Sequence, residues 1–214
     1  MEFDEEAKQV IAPIKTLVNP HNNNAFPEFW DERYGSGETP WVIHQLPAAF
    51  DNFLGRVSPG EVLVPGCGNH GEVIRAFDAA GFVVTAIDFS PVALEQAKAK
   101  LGSLGEKLLL ADFFQHDFGT KRFDLVYERT FLCALSPSRW NEYAGRVANL
   151  LRPAGLLAGI FFYGEEPDPP PYPLSVERAG ELFSKDFRLR KSEPVSDSLP
   201  IFAGQENGQE WQRL

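Results

Sequence analysis

Val62-Leu63-Val64-Pro65-Gly66-Cys67-Gly68-Asn69-His70-Gly71-Glu72, then a helical stretch, then Phe82-Val83-Val84-Thr85-Ala86-Ile87-Asp88, is the segment around which the chain is organised. A short apolar run of β type enters a turn in which Gly66, Gly68 and Gly71 keep a Gly-x-Gly-x-x-Gly spacing. Glycines there let the backbone approach a ligand with no Cβ in the way, and the following helix presents free N–H groups to it. Asp88 closes the second run 22 residues beyond Gly66, where a nucleotide-binding fold places its ribose acid. Strand, turn, helix, strand and carboxylate together describe a site for an adenosine-bearing cofactor.

The alternation continues outward. Ser90-Pro91 starts a second helix, with Ser90 as N-cap and Pro91 at the first helical position, where a missing N–H costs nothing. Leu108–Ala111 is a third strand running into Asp112-Phe113, and Phe123–Tyr127 a fourth running into Glu128-Arg129. Ser136-Pro137 opens a helix to Leu151, closed by Arg152-Pro153-Ala154-Gly155. Leu156–Tyr163 is then a continuous apolar run, the pattern of a central strand buried on both faces. A helix over Ser175–Phe183, a strand over Phe187–Val195 and a last β-type piece near Trp211, pairing antiparallel with it, complete the order. The fold class is α/β: a doubly wound, mainly parallel seven-stranded sheet with helices on both faces and an antiparallel last strand. In such a sheet ligands sit at the carboxyl ends of the strands, which makes the glycine turn, Asp88-Phe89, Asp112-Phe113 and Glu128-Arg129 neighbours in space.

Upstream, residues 4–18 read as a short helix limited by Pro13, and Asn19–Asn24 as a polar break. Residues 1–27 form an N-terminal arm and 28–214 a single domain whose first part, 28–54, is an aromatic cover. Trp30, Tyr34 and Trp41 flank the turn Gly35-Ser36-Gly37, the first two four apart and so on one helical face. They either pack on the core or form a lid over a flat or cationic ligand. Val42–Leu54 reads as a helix disturbed at Pro47.

Composition narrows the classes. The 214 residues suffice for one domain with a sizeable core. A net charge of −10 argues against a nucleic-acid partner, which calls for a basic face. No apolar run reaches membrane-spanning length. Two cysteines with no Cys-x-x-Cys pair and an acidic start in place of a secretory signal read as a reduced, cytoplasmic protein. Four scattered histidines without His-x-x-x-His spacing argue against a metal. Lack of heptads or long apolar surface stretches suits a monomer.

The glycine turn and acid serve both nicotinamide and S-adenosylmethionine enzymes. Three features favour the methyl donor. Asp112-Phe113 offers an acid for an adenine amino group and a ring for the base; the chain ends as helix then antiparallel hairpin; and no tyrosine is followed four residues later by lysine.

The sequence also resembles the thiopurine S-methyltransferase superfamily of class I methyltransferases, from about Glu28 to Trp211. The resemblance rests on Phe29-Trp30-Asp31-Glu32-Arg33-Tyr34 with Gly37-Glu38-Thr39-Pro40-Trp41, on Leu63-Val64-Pro65-Gly66-Cys67-Gly68, on Tyr127–Leu135 and on Pro169-Pro170-Pro171-Tyr172. It implies that Trp30, Tyr34 and Trp41 cover S-adenosylmethionine, and that Pro65, Gly66, Cys67, Gly68 and Gly71 flank its methionine portion. Asp88 and Phe89 would take the ribose, and Asp112 and Phe113 the adenine. Glu128-Arg129 would adjoin the cofactor, and Arg129 would act at the reacting centre. Trp41, Arg129 and Tyr172 would border a small-molecule acceptor. Tyr34 stands where relatives usually carry Trp. The Glu128-Arg129 pair matches thiopurine-type members, whereas plant halide enzymes lack that arginine, which tilts the expected acceptor toward a small thiol, selenol or tellurium compound. Halide or thiocyanate, an oxygen or nitrogen acceptor, and an inactive cofactor-binding module remain alternatives.

Bland readings stand beside these. Arg129 serves equally as a salt-bridge partner holding Glu128 or Asp124, Asp112 as a turn cap, Cys133 as core and Cys67 as a small filler. His70 and His44 read as surface or loop histidines.

Overall fold

The computed structural model describes residues 19–43, 45–165 and 169–214. The helix expected over 4–18 and His44 lie outside them. After a single 3-10 turn at Pro20–Asn22 come α1 (Pro27–Ser36), α2 (Ala48–Leu54), β1 (Glu61–Pro65), α3 (Gly71–Ala79), β2 (Val83–Asp88), α4 (Pro91–Leu101) and β3 (Leu108–Leu110). β4 (Phe123–Arg129), α5 (Trp140–Leu150), β5 (Leu151–Phe162), α6 (Val176–Phe183), β6 (Phe187–Pro194) and β7 (Glu206–Arg213) follow.

The seven strands form one sheet in the order β3-β2-β1-β4-β5-β7-β6. The first five are parallel, and β7 runs antiparallel to both β5 and β6. The expected doubly wound sheet with an antiparallel last strand is therefore present, and β7 enters between β5 and β6, pairing with both. Strand alternation explains the two layers of core. Val62, Val64, Ala86, Leu125 and Ala158 face one layer with Phe50 and Phe77, whereas Leu63, Ile87, Val126 and Leu157 face the other with Tyr143 and Phe183. No helix among the described residues is long and apolar enough to cross a membrane.

Two elements differ from expectation. Residues 42, 43, 45 and 46 are not helical, and Pro47, extended, is the N-cap of α2. β5 starts at Leu151, before the Arg152–Gly155 break: Phe123 pairs with Leu151, and the register shifts before Leu125 meets Leu156.

The Ser90 cap forms as read. Its hydroxyl oxygen accepts the Ala93 N–H at 3.0 Å, and the hydroxyl donates to Asp31 Oδ1 at 2.5 Å, which ties α1 to the start of α4. Ser90→Ala should cost about 1 kcal/mol, as N-cap removals do, read as a lower urea midpoint at unchanged slope. An unchanged midpoint would deny the cap its contribution.

Candidate active site

The strand ends build one wall of a cavity of about 920 Å³. Gly66 and Gly68 leave β1 with φ of 57° and 52°. A Cβ on Gly66 would strike the Phe131 ring, and one on Gly68 the Tyr34 hydroxyl, so both need glycine for space as well as conformation. At the end of β2, Asp88 Oδ2 accepts the Gly68 N–H at 2.8 Å and Oδ1 the Ser90 N–H at 2.9 Å. Burial pushes the Asp88 carboxyl up to about 6; backbone N–H donors oppose the rise and neighbouring Asp31 adds to it. Asp112 lines the cavity and also caps its own turn, accepting from the Phe114 N–H and from Gln115 Nε2, each at 2.7 Å. The turn-cap reading of Asp112 is therefore present, and its place in the cavity wall leaves it open to a ligand as well.

The opposite wall is α1 and the segments around it. Trp30 and Tyr34 meet Trp41 edge to face at 5.8 and 6.1 Å, and Trp41 Nε1 donates to the Tyr34 hydroxyl at 3.3 Å. Gln96 on α4 donates to the Tyr34 carbonyl at 2.9 Å and accepts from Asn69 of the glycine turn at 2.8 Å, so cover and turn share one bridge. Trp30 Nε1 donates to the Asn24 carbonyl at 2.9 Å, and Asn24 Nδ2 donates across the cavity to the Ala134 carbonyl at 2.8 Å. Asn19 and residues 21–25, assigned to the arm from sequence, thus line the cavity.

The far end is more apolar. Thr130 turns the chain after β4 with φ of 60°, a conformation few β-branched residues adopt. The turn lets Glu128 Oε1 accept the N–H groups of Phe131 and Leu132 at 2.9 Å each, while Tyr143 donates to Oε2 at 2.9 Å. Burial raises the Glu128 carboxyl to about 7 against those donors. The Tyr172 N–H donates to the Cys133 carbonyl at 2.6 Å, which brings the proline loop against the same turn that Asn24 holds. Ile201 and Phe202 close this end.

Of the residues singled out from sequence, Trp30, Tyr34, Trp41, Gly66, Asp88, Phe89, Asp112, Phe113 and Tyr172 line this cavity. Pro65, Cys67, Gly68, Gly71, Glu128 and Arg129 are not among its lining residues. Cys67 is buried and donates its N–H to Ile87, Gly68 lies beneath the Tyr34 hydroxyl, and Gly71 packs on Leu101. Arg129 is 4 % exposed and ion-paired with Glu206, so neither Glu128 nor Asp124 is its salt-bridge partner; Asp124 pairs with Arg152. His70 corrects the surface reading. It is 4 % exposed, neither ring nitrogen has a partner among the described residues, and burial followed by the charges of Arg129 and Lys100 lowers its pKa to about 3. Cys133 is both core and cavity wall, its thiol pushed up by burial and so not a nucleophile at neutral pH. The rim at 19–25, the Thr130–Ser136 turn and Ile201-Phe202 were missed. Only the apolar run Phe131–Leu135 carried a signal, and it pointed to core.

Fold and site together define an S-adenosylmethionine-dependent methyltransferase of class I. The thiopurine S-methyltransferase family model matches residues 25–212, and the chain belongs to that family. It is 31 % identical over 154 residues to a probable thiol methyltransferase 2 of Arabidopsis thaliana, covering 69 % of this chain and 67 % of that one. To thiocyanate methyltransferase 1 of Brassica oleracea it is 28 % identical over 199 residues, covering 86 % and 84 %. Among solved structures, the Burkholderia thailandensis 1,6-didemethyltoxoflavin-N1-methyltransferase superposes with a TM-score of 0.69 at 23 % identity, covering 95 % and 93 %.

The residues present fit S-adenosylmethionine. A chamber of this size accommodates a nucleoside with a small partner. Asp88 would offer a carboxylate to two hydroxyls, Asp112 beside Phe113 an acceptor and a ring to a base, and the aromatic cover a face to a cation, all lining this one cavity.

Proposed function

We propose that the protein methylates a small thiol-type acceptor, with the cofactor held between the strand ends and the aromatic cover. The observation that supports this most is that Asp88 and Asp112 line the same cavity as Trp41, Cys133 and Tyr172, so a donor end and an apolar acceptor end adjoin. In this reading Asp88 takes the ribose, Asp112 and Phe113 the adenine, and Trp30, Tyr34 and Trp41 exclude water. S-adenosylmethionine, when bound, supplies an activated sulfonium methyl; the acceptor sulfur takes it, the electron pair of the broken bond stays on S-adenosylhomocysteine, and the acceptor proton passes to water. What the chain contributes is alignment, which is worth up to about 7–11 kcal/mol in favourable cases. Arg129, expected beside the reacting centre, acts indirectly, since its guanidinium is paired with Glu206 behind the Phe202 ring. A single domain over 28–214 preceded by an N-terminal arm, a monomeric state and a reducing, cytoplasmic compartment belong to the same reading; both cysteines are free and buried, which is consistent with the last.

Calorimetry with S-adenosylmethionine and NAD, followed by S-adenosylhomocysteine release with a thiopurine, hydrosulfide and iodide, tests it. Binding of the sulfonium cofactor alone, with release driven by the thiols, is expected. Release with iodide but not thiols would support the halide and thiocyanate reading that the Brassica relative favours. Tight binding without release from any acceptor would indicate a binding module.

A further inference from the structure

Glu206 was invisible as a functional residue in the sequence, yet it is the acid on which the far end of the cavity converges. It opens β7, is 2 % exposed, and its Oε1 pairs with Arg129. Its Oε2 accepts from the Ser198 hydroxyl at 2.6 Å and from the Leu199 N–H at 3.2 Å. Those two residues lead directly into Ile201 and Phe202, which line the cavity, and the Arg129 guanidinium lies 5.6 Å from the Phe202 ring centroid. Arg129 Nε has no partner among the described residues, and Glu206 is the carboxylate ion-paired with this cation there, while the buried Glu128 carboxylate also feels its charge.

We propose that Glu206 is a specificity-determining residue for methyl transfer: by neutralising Arg129 one ring behind the cavity wall, it denies the acceptor end a buried positive charge and so selects against small preformed anions. This rests on the thiol reading above and deepens it, to a thiol that enters uncharged and is held by an apolar wall. A charge separated from a ligand by one aromatic ring acts through low-dielectric protein and is weakly screened. Paired with a carboxylate it presents only a dipole, whose field falls off faster. The other cations on the wall, Arg33 and Arg139, are partly exposed and lie against the rings of Phe29 and Phe114, with Arg139 paired to Glu142. Water screens them, and they cannot replace a buried charge. The same carboxylate also anchors the Ser198–Phe202 wall, so selectivity and shape at this end depend on one side chain.

The test is thiocyanate binding to the protein loaded with S-adenosylhomocysteine, read by Trp30 and Trp41 fluorescence. Glu206→Gln retains an acceptor for Ser198 and Leu199 but takes from Arg129 its ion-pair partner, leaving only the raised carboxyl of Glu128 near it. It should bind thiocyanate at least about tenfold more tightly than the wild type, an effect that a purely structural role would not produce. The double variant Arg129→Gln with Glu206→Gln removes both charges and should return to within about threefold of the wild type. Equal affinity in wild type and Glu206→Gln, or tight binding that persists in the double variant, overturns the proposal. Should Glu206→Gln fail to fold, the wild type decides: its kcat/KM for thiocyanate should be at least about tenfold below that for 2-mercaptoethanol, and equality or the reverse order overturns it. Failure of the thiol reading itself looks different, as absence of S-adenosylhomocysteine release with every thiol while the anion affinities keep their order.

Discussion

Asp88→Ala is expected to weaken S-adenosylhomocysteine binding by a hundredfold or more in calorimetry. A carboxylate accepting two ribose hydroxyls makes two charge-assisted hydrogen bonds of about 1.5–3 kcal/mol each, or roughly two to four powers of ten in Kd together. The substitution also removes the acceptor that holds the Gly68 and Ser90 N–H groups, so the turn loses its lock as the ligand loses its partner. A pH profile gives the same carboxylate a second signature. Its pKa in the free protein stands near 6, above the ordinary 3.8, and ribose hydroxyls favour the ionised form. Below pH 6 a proton must leave before the ligand is held, so affinity should fall by up to about tenfold per pH unit and stay flat above 6. Stability of the free protein runs the other way: a raised acid pKa contributes most below 3.8, and that contribution is lost as pH rises through 6. Asp88→Asn should bind weakly with no such pH dependence. Affinity within threefold of wild type in Asp88→Ala would remove this residue from the ribose.

Glu128→Ala is expected to remove a large part of the fold's stability, about 3–6 kcal/mol in urea unfolding, from a domain whose total is of order 5–15 kcal/mol. Three donors converge on this carboxylate, from Phe131, Leu132 and Tyr143, and all three would be left buried without an acceptor. The same carboxylate helps offset the left-handed Thr130, a conformation that costs about 1–3 kcal/mol at such a residue, alongside the Thr130 hydroxyl's bond to the Arg129 carbonyl at 2.7 Å. Glu128→Gln keeps an oxygen for the two backbone donors and should lose roughly half as much. A loss below about 1 kcal/mol in the alanine variant would show that the turn holds itself.

The division between what sequence disclosed and what it concealed follows interaction range. β1, the glycine turn and Asp88 were readable because each is dictated within a few residues, by alternation, by the need for positive φ or by a terminal acid. The Ser90-Pro91 start of α4 was readable for the same reason. Its second partner, Asp31, comes from 59 positions away and left no local mark. Arg129 is legible in the sequence as a charge near the strand ends, but local spacing offers it only near neighbours, Glu128 and Asp124, as partners. The acid that answers it lies 77 residues on, across the antiparallel β7, where no spacing rule reaches. The Asn24–Ala134 and Tyr172–Cys133 contacts are side-chain and backbone meetings of loops, set by how helices and sheet bring those loops together. A histidine in a polar turn is exposed only if the turn itself is, and His70, beside Gly68 under the Tyr34 hydroxyl, is buried.

The placement of β7 has a consequence for biosynthesis. A nascent chain that has not yet delivered residues 206–213 leaves the apolar edge of β5 open and β6 without its neighbour. Parallel pairing of β1 to β5 can begin on the ribosome, but β6 and the outer edge of β5 must wait for β7, and Arg129 stays without its ion-pair partner until then. Premature termination or clipping before residue 206 would therefore yield an aggregation-prone fragment with an exposed template strand rather than a smaller working enzyme.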